Sequence, residues 1–271
     1  MRHPIGPLAP LRSVWRNRHL VLQMAERDAR ARYRGSAAGV MWVAIHPLLM
    51  LAVYTFFFTE VVPMRWSQGA DTRGAFALAL FIGLLLHAFI SEVLGRAPLL
   101  IVGNPNLVKK VVFPLDVLPV ISVATALFHF AVGFAIWFVF YLTQYGLPPI
   151  TAWWLPVVVA PLALLAVGLC WLLASLGVYL RDISQVVPVF TAVLLFVSPI
   201  FYPLSTLREP FRTLALGSPL SVPIEQARLV LLDGKVPEWQ AVAVYSLVAV
   251  TIAYLGFAWF QATRKGFADV L

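Results

Sequence analysis

Long apolar blocks separated by short polar stretches dominate the pattern of this chain. Six blocks approach the ~20 residues that a helix needs to cross a bilayer, and they cover 37–59, 76–93, 117–142, 153–179, 186–201 and 241–260. Tryptophan or tyrosine stands at several block ends, as expected where a ring lies among the lipid headgroups. The pattern predicts an all-α membrane protein with six transmembrane helices.

The first 36 residues follow a different, amphipathic pattern. From Ser13 to Tyr33 the side chains repeat with the period of an α-helix and form two stripes. The apolar stripe holds Leu11, Trp15, Leu22, Ala25 and Ala29, and the basic stripe includes Arg12, Arg16, Arg27, Arg30 and Arg34. We predict an interface helix on the inner membrane surface, where its arginines meet lipid phosphates. This helix would either only anchor the chain and fix its orientation in the membrane, or would in addition dock a partner.

Composition and the placement of charge both fit a membrane domain. Hydrophobic residues make up 61% of the 271 residues and charged ones 12%, about half the usual charged share of soluble domains. With a cytoplasmic N-terminus, the inner segments hold 14 of the 20 lysines and arginines, in agreement with the positive-inside rule. The net charge of +8 is thus spread over short inner loops, which argues against nucleic-acid binding. We predict an interface helix over 1–36, a membrane domain over 37–262 and a tail over 263–271, with both termini cytoplasmic.

Two connections between blocks carry more than a simple loop requires. The inner one reads "VGNPNLVKKVVFPLDVLPV" over 102–120, and its glycine, proline and asparagines predict a turn. Overlapping its start, "IVGNPNLV" (101–108) is a short apolar knob that we expect to dock into another protein. The outer segment 202–240 contains five prolines and two amphipathic runs, near Pro210–Leu216 and Pro223–Leu232. We predict short re-entrant or interfacial helices there, with an ordinary extracellular loop as the alternative.

Few residues along the chain indicate an enzymatic function. The ionisable groups in or beside the blocks are scattered: His46, Glu60, His87, Glu92, Asp116 and His129. The three acids lie near block ends, where water or headgroups can satisfy them, so proton coupling is the weaker reading. The sequence has no G-x-x-x-x-G-K-[ST] motif, so active transport would need ATP and Mg²⁺ bound by a partner, and we expect no cofactor on this chain. The single cysteine, Cys170, lies in an apolar block and is read as a buried side chain.

Three stretches resemble one family of membrane proteins. They are "RARYRGSAAGVMWVAIHPLLMLAVYTFFF" (30–58), "NPNLVKKVVFPLDVLPV" (104–120) and "YLRDISQVVPVFTAVLLFVSPIFYP" (179–203). In order and spacing they resemble the permease subunits of ABC-2 type exporters, in the subgroup that exports O-antigen, capsule and teichoic-acid-like polymers. The resemblance covers nearly the whole chain and implies a transport subunit rather than an enzyme.

The resemblance also implies partners and a coupling element. It implies a homodimer in the bacterial inner membrane, two copies of a separate cytoplasmic ATPase, and a lipid-linked polysaccharide as cargo. The coupling element would be roughly Arg96–Lys110, with a second contact near Tyr179. The implied coupling residues are Asn104, Pro105, Asn106, Leu107, Lys109, Lys110, Arg181 and Asp182. Leu115 and Asp116 stand where the family leads us to expect a charged pair.

Aromatic residues, which make up 13% of the chain, suggest a path for sugar rings. Partly on the resemblance, the predicted translocation path comprises Trp42, His46, Tyr54 and Phe57 in the first block and Phe190, Phe196, Phe201 and Tyr202 in the fifth. The alternative for any one ring is lipid contact or helix packing. Three rival functions remain: an ABC-2 exporter of a lipid or drug, a membrane-embedded glycan-transferring enzyme, and a secondary transporter, for which no internal repeat is visible.

Overall fold

A computed structural model describes residues 9–31, 41–57, 72–109 and 113–271, and these ranges contain helices and no strands. The α-helices are α1 (Ala9–Arg16), α2 (Arg18–Ala31), α3 (Trp42–Phe56), α4 (Thr72–Arg96), α5 (Leu99–Val102), α6 (Pro105–Lys109), α7 (Val117–Tyr145), α8 (Leu155–Tyr179), α9 (Ile183–Val197), α10 (Phe211–Leu216), α11 (Ser221–Leu231), α12 (Trp239–Thr263) and α13 (Phe267–Val270). Short 3₁₀ turns cover Ile150–Trp154, Leu204–Thr206 and Arg264–Gly266. The prediction of an all-α protein is confirmed for the described residues.

Four helical segments are long and apolar enough to cross a membrane: Gly74–Arg96, Val117–Tyr145, Ile150–Tyr179 and Trp239–Val270. They match the second, third, fourth and sixth predicted blocks. Helices α3 and α9 have 15 residues each, fewer than the ~20 that a straight span needs. Helix α9 ends at Val197 because Ser198 is extended before Pro199, which a proline imposes on its predecessor. A count of six spans therefore stays a prediction.

The closest helix pair joins α8 to α12. Glycines allow this approach: a Cβ on Gly168 would lie 2.6 Å from the Ala253 Cα, and a Cβ on Gly256 would lie 2.1 Å from the Gly168 carbonyl oxygen. Both distances are far below van der Waals contact, so only glycine fits. Helix α4 packs against α7, α8, α9 and α11, and it contributes many of the fully buried side chains. The core therefore lies around α4 and the α8–α12 pair.

Several of the shorter helices lie at one of the two ends of the bundle. We call the end that carries α1, α2, α5, α6 and α13 the terminal end, because it holds the first and last described helices. The opposite end carries the turn Ile150–Trp154 together with α10 and α11.

The predicted interface helix is two helices, α1 and α2, separated by a turn at Asn17. The Asn17 side-chain amide donates to the Ser13 carbonyl (2.8 Å), a local bond that competes with helix geometry. The predicted apolar stripe is also divided. Ala25 and Ala29 are buried, whereas the exposed members are Leu11, Trp15 and Leu22. Because α2 packs against α7, Ala25 and Ala29 face the protein, and the exposed Leu11, Trp15 and Leu22 remain available to lipid or a partner.

Candidate functional site

An elbow formed by residues 97–109 follows α4 at the terminal end. Its first helix, α5, packs against α8, where a Cβ on Gly177 would lie 2.2 Å from the Pro98 carbonyl oxygen. Ile101 is fully buried between these helices and α7. The turn closes at Asn104, whose backbone N–H donates to the Ile101 carbonyl (3.0 Å) and whose side-chain amide donates to a carbonyl of α5 (2.9 Å). The elbow is thus seated directly on a long helix.

The exposed surface of the elbow is mostly polar, with Leu99 as an exposed apolar side chain. Four members of the predicted coupling set are exposed here: Asn104, Pro105, Asn106 and Lys109. Leu107 is half-buried, and Lys110 lies outside the described residues. The predicted apolar knob does not project as a unit, because Ile101 points into the core. What the elbow offers to a partner is a polar proline turn supported by apolar side chains beneath it.

A cleft of about 560 Å³ separates the elbow from α2. Leu20, Met24 and Arg27 line one side, and Pro105 and Leu107 line the other. Because apolar side chains and a basic group meet there, the cleft can accept an apolar anchor carrying a nearby acidic group.

The second predicted contact, the connection between α8 and α9, lies at the same end. Arg181 and Asp182 are exposed, and the Asp182 carbonyl accepts the backbone N–H of Gln185 (2.9 Å) at the start of α9. Tyr179 donates its hydroxyl to the Thr263 carbonyl (2.9 Å) at the end of α12. The structure therefore brings both predicted coupling regions to one end of the molecule.

A polar network fixes α2 to two long helices. Arg96, the last residue of α4, pairs with Asp28 of α2 and lies 3.7 Å from the carboxylate of Glu92. Glu92 in turn lies 2.8 Å from Nδ1 of His129 on α7. Thr125 donates to Asp28 (3.3 Å) from the same helix. Ionic contacts therefore hold α2 to α4, the helix that leads into the elbow.

Leu115 and Asp116 hold the positions where the family resemblance implies a charged pair. Both side chains are buried, with exposures of 5% and 6%. Asp116 forms an ion pair with Arg264 (3.4 Å). It therefore offers no charge to an outside partner.

The predicted translocation residues differ in exposure. Exposed rings belong to Trp42, Phe57, Phe190 and Phe196. Phe201 is buried, with its ring 5.9 Å from that of Phe196, and Tyr202 donates its hydroxyl to the Phe196 carbonyl (2.8 Å). The side chains of His46 and Tyr54 lie outside the part of the chain that the structure describes. Helices α3 and α9 both pack against α4. Their exposed rings point away from the core of the chain, so a surface that both helices line lies outside that core.

At the opposite end, α11 carries a buried arginine that sequence analysis did not single out. Arg228 donates to the carbonyl oxygens of Ala79 (3.1 Å), Pro199 (2.5 Å) and Ile200 (2.7 Å). Glu225, one helical turn away, lies 3.7 Å from its guanidinium. An arginine side chain stays protonated in proteins, so the buried guanidinium carries its charge. Arg228 thereby joins α11 to α4 and to the chain that follows α9.

Further hydrogen bonds hold α10 and α11 in place. Thr151 donates to the Val230 carbonyl (2.7 Å), Tyr245 donates to the Pro219 carbonyl (2.8 Å), and the hydroxyls of Ser198 and Ser218 lie 2.7 Å apart. The two amphipathic runs predicted in 202–240 are confirmed as helices. The missed signal was a lone arginine flanked at helical spacing by apolar residues, a pattern that indicates a buried, paired charge.

Comparison with known proteins gives one family and several relatives. Residues 19–232 match the ABC-2 type transporter family. The chain is 27% identical over 261 residues to the O-antigen export system permease protein RfbA of Myxococcus xanthus, covering 96% of this chain and 98% of that one. It is 23% identical over 254 residues to an RfbA protein of Klebsiella pneumoniae, covering 93% and 95%. These relatives confirm the resemblance that the three sequence stretches indicated.

Proposed function

This chain belongs to the ABC-2 type transporter family, and we propose that it is the membrane-spanning subunit of an ATP-driven exporter of a lipid-linked polysaccharide, with O-antigen as its cargo. The observation that carries the proposal is the match to O-antigen export permeases over 96% of the chain. The seating of the elbow on a long helix supports it, because a subunit without its own ATP site needs a rigid element that receives force.

The proposed assembly has two copies of this chain and two copies of a cytoplasmic ATPase that binds ATP and Mg²⁺. The terminal end faces the cytoplasm, with the elbow and the α8–α9 connection against the ATPase. Helices α3 and α9 complete two further spans, and their exposed rings face the shared path. Flat aromatic faces suit sugar rings because they allow a polymer to slide without fixing its register.

Helices α10 and α11 form re-entrant elements at the outer mouth in this arrangement. Irregular backbone at membrane depth is tolerated where it packs against protein. The buried contacts of α11 and the hydrogen bonds from Arg228 to backbone carbonyl oxygens support that placement.

The proposal is tested by deleting the gene in its native host and measuring surface polysaccharide. We expect the surface polymer to disappear and its lipid-linked form to accumulate inside the cell, with both effects reversed by the wild-type gene. A deletion strain that keeps normal surface polysaccharide contradicts the proposal. Loss of lipid or drug efflux in such a strain would favour the rival ABC-2 exporter instead.

A further inference from the structure

Residues 263–271 pack against the bundle. After α12 the chain forms the turn Arg264–Gly266 and then α13, which packs against both α6 and α8. Phe267 is fully buried, with its ring 5.4 Å from that of Phe260 and 6.1 Å from that of Tyr179. An aromatic residue buried in this way anchors a segment that four helical residues could not hold by themselves.

One side of this C-terminal segment is bonded to the stretch that follows the elbow. Arg264 lies 3.4 Å from the Asp116 carboxylate and donates to the Phe113 carbonyl (3.1 Å). The same carboxylate accepts the hydroxyl of Ser13 on α1, and the Asp116 backbone carbonyl accepts the indole N–H of Trp171 on α8 (2.9 Å). Asp116 is therefore the point at which α1, α8 and the C-terminal segment meet the start of α7.

The other side of the segment is bonded to the end of α8, next to the second coupling region. Tyr179 donates to the Thr263 carbonyl, and the hydroxyls of Ser175 and Thr263 lie 2.6 Å apart. A Cβ on Gly266 would lie 2.5 Å from the Tyr179 hydroxyl oxygen, so the turn and this ring are in direct contact. One short segment thus touches both regions that are proposed to meet the ATPase.

We infer that the C-terminal segment is a positioning element that makes the elbow and the α8–α9 connection move as one body. Its link to the elbow is the contact of α13 with α6, and the Arg264–Asp116 pair is its link to the start of α7. The inference rests on the proposed function. Without the segment, the elbow is joined to the α8–α9 connection through the packing of α5 on α8, so part of a push on the elbow would be absorbed there. With it, the push reaches α7, α8 and α12 together.

The test compares export with assembly in the native host. Arg264→Gln and Asp116→Asn each remove one charge of the pair, and the double variant removes both. Arg264→Lys keeps the charge, and Lys265→Gln changes an exposed neighbour. For each variant we measure surface polysaccharide, the amount of permease recovered with a tagged ATPase, and the ATP hydrolysis of that complex.

We expect Arg264→Gln to lower surface polysaccharide on the order of tenfold, a typical size for a coupling effect, while recovery and ATP hydrolysis stay near wild type. Asp116→Asn should behave alike, and the double variant should be no worse than the worse single, as for residues that act through one contact. Arg264→Lys and Lys265→Gln should export normally. Normal export by Arg264→Gln, or a loss that only follows reduced recovery of the complex, overturns the inference.

A distance measurement gives a readout that does not depend on export. Spin labels on Asn106→Cys and Asp182→Cys report the separation of the two regions, and the buried Cys170 does not compete for label. Dilution with unlabelled chain removes distances between copies. The distance distribution should broaden with Arg264→Gln and stay narrow with Arg264→Lys; an unchanged distribution in both overturns the inference. A failure of the proposed function would instead appear as normal surface polysaccharide in the deletion strain.

Discussion

Among the residues that the structure describes, Arg228 on α11 is a buried charge. Its guanidinium satisfies three backbone carbonyl oxygens drawn from two parts of the chain. Arg228→Met would leave those oxygens buried without their donor, at a cost of about 3 kcal/mol in the free energy of unfolding. Arg228→Lys keeps the positive charge but not the planar guanidinium with its several N–H donors. We therefore expect a loss in the free energy of unfolding that is smaller than that of Arg228→Met.

The measurement uses Cys170, the chain's single and fully buried cysteine. A thiol-reactive dye labels it only as the bundle opens, so the labelling temperature reports stability in detergent. Arg212→Met on the exposed face of α10 is the matched control and should melt like wild type. Equal labelling temperatures for Arg228→Met and Arg212→Met would contradict a stabilising role for the hydrogen bonds of Arg228.

A second residue-scale prediction concerns the glycine contact between α8 and α12. Gly256→Ala would place a Cβ 2.1 Å from the Gly168 carbonyl oxygen, so the helices must separate. We expect a loss of about 2 kcal/mol, as for overpacked cores, and a lower Cys170 labelling temperature. Gly95→Ala is the control, because nothing lies within 4 Å of its Cβ position. That variant should be unchanged or slightly more stable, since alanine favours helix; equal destabilisation of both would contradict the account.

At the scale of elements, the elbow should be dispensable for folding and required for transport. Replacing Asn104–Leu107 with a Gly/Ser linker removes the polar turn, while Ile101 stays buried on α8. We expect normal membrane insertion, a Cys170 labelling temperature close to wild type, and loss of surface polysaccharide in the native host.

The matched control replaces the exposed residues 233–236 between α11 and α12 with a similar linker. Export should continue in that variant. Export by the elbow variant at the level of this control would show that the elbow does not carry force.

At the scale of the whole molecule, export should depend on aromatic rings that the single chain leaves exposed. Phe190→Ala combined with Phe196→Ala removes two exposed rings of α9, so stability should change little while surface polysaccharide falls severalfold. Phe128→Ala removes an exposed ring of α7 and serves as the control. Equal export by both variants would mean that the α9 rings contact only lipid or another helix.

Local signals predicted most of the long helices and the turn of the elbow. Helices α4, α7, α8 and α12 follow from apolar length alone, and the turn at Asn104 follows from its glycine and proline neighbours. The hydrogen bonds of Arg228 could not be predicted, because the carbonyl oxygens of residues 79, 199 and 200 are brought together only by the fold. The same reason hides the Arg264–Asp116 pair, which joins residues 148 positions apart.

Site-directed photocrosslinking in the native host tests the central claim most directly, namely that an ATPase engages the terminal end through the elbow. A photoreactive amino acid at Asn106, which is exposed on α6, is compared with one at Leu214, which is exposed on α10. The account predicts a crosslink from position 106 to an ABC ATPase, identified by mass spectrometry, and none from position 214. An ATPase crosslinked to position 214 and not to position 106 would contradict it.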